Sequence, residues 1–352
     1  MRFDKKNYFI MKKLLLAFMP LAVLASACSD DDGLSPDTPK TAHEISFYAT
    51  APKSSRAAAT TTSSLQSFVV YAFTDSSVLM DGVTVQRDGG AWTYSPAVYW
   101  PASPVDFYAI SPDIRKSSDT SASDYDVING VQYGSTDLLY AVTPNQVESP
   151  APVPLTFRHA MSQVAIMLSS TSDKYMVEVY HVSLNNIALS GDFALPNQNT
   201  AEDTALGTWT GLSDPKNALL YYDPEGKAIL LTTTPRNLTE GNLEASFFVP
   251  QNLQNLEYSS ANGFTGSFMQ IDCVVKEKAT GKQIWPNENT PDYLLVPQTT
   301  YGRMLFPLST PTVTAWQQGY SYVYNVVINN TYSIDTIEFA PVVKDYITSQ
   351  PF

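Results

Sequence analysis

The chain is poor in the residues from which catalytic and metal sites are commonly built. Its 352 residues include two cysteines and three histidines, and no histidine lies in an HExxH motif or in a Cys/His spacing typical of zinc sites. A GxSxG nucleophile elbow, a phosphate-binding P-loop and a GxGxxG motif are also missing. Carboxylates are numerous, but no spacing selects a pair of the glycosidase type. We therefore predict no catalytic residue, no metal site, no cofactor and no enzymatic activity.

Positive charge is also scarce. Lys and Arg number 21 against 34 Asp and Glu, which gives a net charge of −13. Such a surface repels a phosphate backbone, so we predict no nucleic-acid partner. Cys273 lies in the alternating apolar run MQIDCVV, which predicts a buried strand residue rather than a reactive thiol. We interpret His159 as a structural residue at the end of a strand.

A long apolar run of the kind that spans a membrane is missing as well. The run from Leu14 to Leu24 is about half of the roughly 20 residues that a membrane-spanning helix needs. It follows Lys12 and Lys13 and ends before the small residues Ala25-Ser26-Ala27. This three-part pattern predicts a secretory signal peptide over residues 1–27.

The small residues of the leader end at Cys28, and Ser29 and an acidic run of Asp30, Asp31 and Asp32 follow it. A cysteine in this position resembles the lipobox of bacterial lipoproteins, whose thiol is acylated and whose cysteine becomes the new N-terminus. The acidic run resembles the signal that sends Bacteroidetes lipoproteins to the outer face of the outer membrane. An ordinary signal peptide followed by a solvated linker is the alternative. We expect residues 28–43 to be an acidic, proline-rich tether, and leave open whether Met1 or Met11 is the start.

What the chain has in quantity are residues that favour strands and turns. It holds 21 Tyr and 24 Pro, with much Thr, Ser and Val, and we find no amphipathic stretch of helical length. This composition predicts an all-β protein of many short strands. The first candidate strand runs from Glu44 to Thr50, and Ile45, Phe47 and Ala49 share one of its faces.

Later candidate strands suggest two β-sandwiches. They include Val83–Gln86 between predicted turns at Asp81-Gly82 and Asp88-Gly89-Gly90, Met176–Val182 and Ser183–Leu189 as separate strands, and Leu294–Val296. The proline cluster from Pro144 to Pro154 is the best domain boundary, because linkers are commonly rich in proline. We predict an N-terminal sandwich over residues 44–157 and a C-terminal sandwich over residues 158–352.

The loop after the first strand, Ala51 to Ser64, is built of small polar residues with Arg56 in its middle. One interpretation is a loop with a solvated arginine. The other is a cleavage site for a trypsin-like protease, because exposed loops of small residues are where proteases cut. The residues alone leave both open.

Six segments, taken in order, resemble the fimbrillin family of Bacteroidetes, the Mfa-like and FimA-like fimbrial subunits. They are YWPASPVDFYAISP (99–112), DLLYA (137–141), PLTFRHAMSQV (154–164), FFVPQ (247–251), AWQQGYSYVYNVVI (315–328) and IEFAPVVKDY (337–346). The resemblance covers nearly the whole chain after the leader. Tyr346 departs from it, because many relatives have Trp there, and this bears on how the last strand packs.

The resemblance implies a fold and a route of assembly. The fold is two transthyretin-like, Greek-key β-sandwich domains in tandem. The subunit is exported as a lipoprotein, and a trypsin-like protease cuts between Arg56 and Ala57, which removes the first strand. An unroofed groove with exposed strand edges can then accept a strand from the next subunit. The donor is expected at the C-terminus, with side chains such as Ile334, Ile337, Phe339, Val343 and Tyr346.

The expected function is therefore a structural subunit of a cell-surface fimbria with a role in adhesion. The expected partners are other fimbrial subunits, the outer membrane through the lipid, the processing protease, and host or bacterial surface ligands. Whether the subunit belongs to the stalk, the anchor or the tip is left open. The alternative is a permanently lipid-anchored, glycan-binding or adhesin lipoprotein that does not polymerise, with its Tyr and Trp residues as glycan platforms. An enzyme is the least favoured hypothesis.

Overall fold

The structure is a computed structural model. It describes residues 43–51, 60–114, 126–171, 174–196, 206–222, 225–239 and 246–328, together with the backbone of residues 338–345. These residues form strands and one short 3-10 turn, so the prediction of an all-β protein is confirmed.

The first nine strands precede residue 160. They are β1 (Phe47–Thr50), β2 (Ser67–Phe73), β3 (Val78–Asp88), β4 (Ala91–Thr93), β5 (Val105–Ser111), β6 (Val127–Gln132), β7 (Leu139–Gln146), β8 (Val153–Thr156) and β9 (Arg158–His159). Six of them form one sheet in the order β4-β3-β2-β5-β7-β9. A separate two-stranded sheet pairs β1 with β8 in parallel.

The core of this first half contains residues from both sheets. The six-stranded sheet contributes residues such as Phe68 of β2 and Phe107 of β5, and the β1–β8 pair contributes Phe47 and Leu155. Strand β2 is buried over almost its whole length rather than at alternate residues, because its other face contributes Val69, Tyr71 and Phe73 to a second cluster.

The later strands follow residue 161. They are β10 (Ser162–Ser170), β11 (Tyr175–Ile187), β12 (Ser190–Ala194), β13 (Thr208–Thr210), β14 (Lys216–Tyr222), β15 (Ile229–Leu230), β16 (Arg236–Asn237), β17 (Phe247–Phe248), β18 (Gln251–Asn252), β19 (Glu257–Ser259), β20 (Gly263–Thr265), β21 (Phe268–Glu277), β22 (Gln283–Trp285), β23 (Gly302–Pro307), β24 (Ala315–Trp316), β25 (Tyr320–Ile328) and β26 (Glu338–Asp345). The 3-10 turn is Asp292–Leu294.

Two sheets of this second half share one hydrophobic core. One has the path β16-β10-β25-β26, and the other has the path β14-β11-β21-β22, with β23 also paired to β21. Alternate residues of β10, β11, β21 and β25 meet in the core, including Ile166, Val179, Ile271 and Tyr324. Cys273 of β21 is fully buried in this core, as the alternating pattern predicted.

A third sheet joins the two halves of the chain. Strand β6, from the first half, pairs antiparallel with β12, which in turn pairs with β13. Its residues Ile128 and Phe193 pack in the cluster that also holds the second face of β2. The described residues belong to one compact unit. The predicted division into domains at residues 157 and 158 stays a prediction, and β9, beyond that point, still pairs with β7 of the first half.

Several strand predictions differ from the structure. Asp81-Gly82 is not a turn between strands but part of β3, where the register against β2 shifts and Gly82 takes a φ of 69°. A non-glycine residue rarely adopts such a backbone, and this explains the glycine that suggested a turn.

Two segments of the second half also differ. The predicted strands Met176–Val182 and Ser183–Leu189 are one continuous strand, β11. Leu294–Val296 is not a strand, because Leu294 ends the 3-10 turn and Leu295 makes only an isolated bridge to Gly302. Within the described parts of the chain, no helix has the length and apolar character needed to cross a membrane.

Candidate functional site

The first strand and the groove that holds it form the candidate site. Ile45, Phe47 and Ala49 are 0%, 5% and 3% exposed, whereas Tyr48 between them is 60% exposed. This alternation follows from the period-two geometry of a strand, which puts successive side chains on opposite faces. One face of the strand is therefore part of the protein core, and the other face is in solvent.

The groove is lined with aromatic rings. The ring of Phe47 lies 6.2 Å from that of Phe68, 5.8 Å from that of Phe107 and 5.7 Å from that of Tyr94, measured between centroids. The first two contacts are edge-to-face, an arrangement that aromatic pairs prefer. Removing Phe47 would uncover this cluster.

Main-chain hydrogen bonds hold the strand on two sides. On one side the amides of Val153 and Phe157 donate to the carbonyls of Ser46 and Thr50, at 2.8 Å and 2.7 Å. On the other side the Ile45 amide donates to the Val98 carbonyl at 2.8 Å, and the Trp100 amide donates to the His43 carbonyl at 3.0 Å. Loss of the strand would leave the Val153, Phe157 and Trp100 amides without these acceptors.

Two side chains bond the backbone of this segment near its ends. The Tyr94 hydroxyl donates to the Ile45 carbonyl at 2.6 Å. The Thr62 hydroxyl accepts from the Ala51 amide at 2.8 Å and donates to the Ala51 carbonyl at 2.7 Å. Both contacts lie outside the ladder with β8, which covers residues 47–50.

A buried pair of side chains, His159 and Asp137, lies beside Thr60, where the described chain resumes after Ala51. The His159 Nδ1 and the Asp137 Oδ1 are 2.8 Å apart, and both side chains are almost fully buried. The other oxygen of Asp137 accepts from the Thr60 amide at 2.7 Å. His159, the last residue of β9, thus orients the carboxylate that holds Thr60.

The C-terminal strand β26 pairs antiparallel with β25 at the end of its sheet path. Phe339 lies opposite Val326, and Val343 lies opposite Tyr322. These are two of the five residues predicted for a donor strand. The other three, Ile334, Ile337 and Tyr346, lie outside the described residues.

The processing and lipidation residues also lie outside the described part of the chain. They are Cys28, Ser29, Asp30, Asp31, Asp32, Arg56 and Ala57. Their roles stay predictions. Among the described residues, no group of three or more His, Cys, Asp and Glu is placed to hold a metal ion.

The residues that hold the strand ends were not found from the sequence. Thr62 lies in the run ATTTSS, where nothing distinguishes it from its neighbours. Tyr94 and Asp137 precede a turn and a strand, respectively, and side-chain bonds to residues 49 and 77 positions away leave no local pattern. Only the folded backbone brings these partners together.

Comparison with known proteins gives one family and several solved structures. The family model described as Fimbrillin-like matches residues 41–345. A fimbrial protein from Bacteroides vulgatus is 13% identical, with a TM-score of 0.52 over 86% of this chain and 99% of that one, so the two share a fold. No curated protein matches the chain.

Two further solved structures are proteins proposed to act in cell adhesion. The one from Bacteroides uniformis is 14% identical, with a TM-score of 0.47 over 89% of this chain and 100% of that one. The one from Bacteroides ovatus is 16% identical, with a TM-score of 0.47 over 88% and 100% of the two chains.

Proposed function

The chain belongs to the fimbrillin-like family, and from this premise we propose that it is a structural subunit of a cell-surface fimbria that assembles by strand exchange. In this proposal a trypsin-like protease cuts between Arg56 and Ala57, and β1 leaves. A strand from a neighbouring subunit then takes its place. Because such a contact is head-to-tail and does not close, it produces a filament.

The observation that carries the proposal is the way β1 is held. It is a short strand with one apolar face in the core, paired in parallel with β8, and it precedes the loop that contains Arg56. Its removal would expose the ring cluster around Phe47 and three backbone amides. Exposed apolar surface costs about 25 cal/mol per Å², and the freed amides can pair with another strand, so the emptied groove would favour an incoming strand with the same alternation.

The donor in this proposal is the C-terminal segment from Ile334 to Phe352. Strand β26 lies in its own subunit's sheet, so residues 338–345 would have to leave β25 if they serve as donor. The rest of the donor would be residues 334–337 and 346–352. Main-chain bonds would supply affinity, and alternating side chains would fill the pockets vacated by Ile45, Phe47 and Ala49.

Export and anchoring complete the proposal. Cys28 would carry the lipid that holds the precursor in the outer membrane, and Ser29 with the acidic residues Asp30, Asp31 and Asp32 would direct it to the cell surface. Because β1 lies between this anchor and Arg56, one cut would release both the anchor and the strand. Adhesion to host or bacterial ligands would then be a property of the assembled fimbria.

The experiment that tests the proposal compares three variants by electron microscopy after treatment with a trypsin-like protease that cuts only after arginine. Arg56→Ala should block the cut and the filaments, and Lys53→Ala, in the same loop, is the matched control that should permit both. Deleting residues 346–352 should abolish filaments and leave a folded monomer. Filaments formed by uncut Arg56→Ala protein, or by the truncated chain, would contradict strand exchange.

One observation favours the alternative of a permanently anchored, glycan-binding lipoprotein. Tyr258 and Tyr293 are 47% and 46% exposed and stack with 4.5 Å between ring centroids, and Phe264 lies 4.8 Å from Tyr258. Exposed aromatic faces bind sugars through their apolar surface. The stacked pair also packs on the β19–β20 hairpin, in which Tyr258 lies opposite Phe264. A structural role therefore explains the stacking equally well. Polysaccharide pull-down with Tyr258→Ala protein would distinguish the two.

A further inference from the structure

We propose that Thr62 and Tyr94 are latches that keep β1 in its groove after the chain has been cut, so that the strand leaves slowly. The inference rests on the proposed function, because a latch matters only if the strand is removed. It assigns a role to two side chains that lie outside the strand, the Arg56–Ala57 cleavage site and the donor. Both hydroxyls act on the backbone of the strand segment.

The Thr62 latch replaces the main-chain ladder where the ladder stops. Its hydroxyl both accepts from the Ala51 amide and donates to the Ala51 carbonyl, at 2.8 Å and 2.7 Å. Two such bonds on one residue are what a partner strand would supply at a hydrogen-bonded position. Ala51 follows the last residue of β1 and would lie near the free end after a cut, which is where a strand begins to fray.

Thr62 stays on the body of the protein whether or not the loop is cut. Two residues before it, the Thr60 amide is bonded to Asp137, which is held in turn by His159. After it, the Leu65 amide donates to the Thr61 carbonyl at 2.8 Å, and Leu65 is buried. The Arg87 guanidinium donates to the Thr62 carbonyl at 2.9 Å.

Thr60 and Ala51, which lie on either side of the cleavage site, are therefore held to the body by different contacts. The end at Thr60 is held by a buried carboxylate and by a turn that leads into β2. At the other end, the amide and the carbonyl of Ala51 are both bonded to the single hydroxyl of Thr62. A cut in between would leave the hydroxyl in position and the strand end dependent on it.

The Tyr94 latch acts at the other end of the strand. Its hydroxyl donates to the Ile45 carbonyl at 2.6 Å, with a longer contact of 3.4 Å to the Val98 carbonyl. Burial raises the pKa of this phenol, an effect that its bond to the Val98 backbone partly opposes. The hydroxyl therefore keeps its proton and remains a donor at neutral pH. The same ring packs on Phe47, so Tyr94 contacts both the backbone and the buried face of the segment.

The test measures how fast the strand leaves. Cut protein would be mixed with an excess of labelled peptide of residues 43–56, and exchange of bound for labelled strand would be followed by mass spectrometry. Thr62→Val and Tyr94→Phe keep the shape and remove the hydroxyl. Tyr94→Phe loses one hydrogen bond to the strand segment and should speed exchange roughly fivefold. Thr62→Val loses two and should speed it roughly 25-fold, and the double variant should speed it roughly 125-fold if the two ends are independent.

Matched controls separate the latches from general effects of the substitutions. Thr84→Val changes an exposed threonine of β3, and Tyr99→Phe changes a 54% exposed tyrosine close to Tyr94. Both should exchange at the wild-type rate. Equal exchange rates in all six proteins would refute the latches, and filaments from cut protein would still support the proposed function.

A second readout does not require a cut. In uncut Arg56→Ala protein, hydrogen exchange of the β1 amides reports local opening of the strand. Thr62→Val and Tyr94→Phe should raise these exchange rates by the factors expected for strand exchange, and the exchange rates of the β11 and β21 amides should not change. Unchanged β1 exchange in both variants would refute the latches even if strand removal never occurred. If hydrogen exchange is faster in the variants but cut wild-type protein forms no filaments, the proposed function alone is refuted.

Discussion

Replacing Phe47 with alanine should destabilise the uncut protein strongly, although β1 is only a short strand. The side chain is 5% exposed and its ring contacts those of Phe68, Phe107 and Tyr94. Truncating a buried phenylalanine to alanine removes its transfer free energy and leaves a cavity, which together cost about 3–5 kcal/mol. That loss is a large part of the roughly 5–15 kcal/mol by which a domain is commonly stable.

The next residue supplies the control. Tyr48 is larger but 60% exposed, on the solvent face of the same strand. Tyr48→Ala should therefore change the free energy of unfolding by less than about 0.5 kcal/mol. Urea denaturation followed by tryptophan fluorescence measures both variants. Similar costs for the two, or a cost for Phe47→Ala below about 1 kcal/mol, would refute the placement of Phe47 in the groove.

The same substitution can also be tested in cut protein from which the strand has been removed. Once the strand has been cut and has left the groove, Phe47 is no longer part of the folded body. Phe47→Ala and wild-type bodies should then have the same denaturation midpoint. A difference that persisted after separation would mean that the strand had not been removed.

Three further predictions concern the second half of the chain and the sheet shared between the halves. Cys273 is fully buried, and burial raises the pKa of its thiol. A thiol reagent should therefore label it only after denaturation, and labelling of native protein at neutral pH would contradict its place in the core. Burial also raises the pKa of Tyr324, so folding favours the neutral phenol. The free energy of unfolding should therefore fall as the pH rises above about 10, where the unfolded tyrosine ionises. Denaturation midpoints between about pH 8 and 11 test this, and a midpoint that rises with pH would contradict it. A Cβ at Gly207 would lie 2.2 Å from the Phe193 ring and 2.6 Å from the Ala194 carbonyl oxygen. Gly207→Ala should therefore lower the free energy of unfolding by about 1–3 kcal/mol. An unchanged melting temperature would contradict this prediction.

Much of the fold could be predicted from local patterns. Alternation in EISFYAT indicated which face of the first strand is buried, and the glycines after Asp88 indicated a tight turn. That turn connects β3 to β4, with Asp88 opposite Ala91 and positive φ at Gly89 and Gly90. Such features depend on neighbouring residues alone, because the period of a strand and the φ of a glycine turn are local properties.

Other features could not be predicted, because they depend on residues far apart in the chain. The pairing of β6 with β12 joins residues from the two halves, and no local pattern in VINGVQ identifies its partner. Gly82 suggested a turn because the same left-handed conformation serves both turns and strand irregularities. The sheet order therefore required the tertiary structure.

The sequence by itself determined that the chain is rich in strands and which face of the first strand is apolar. Its six ordered segments also pointed to the family that the family match then showed. Only the tertiary structure decided how the first strand is held. It lies in parallel beside β8, its ends are bonded by Tyr94 and Thr62, and Asp137 secures the loop beyond. These contacts join residues that are up to about a hundred positions apart in the chain, and the free energy of such contacts depends on their positions in space rather than on their order in the sequence.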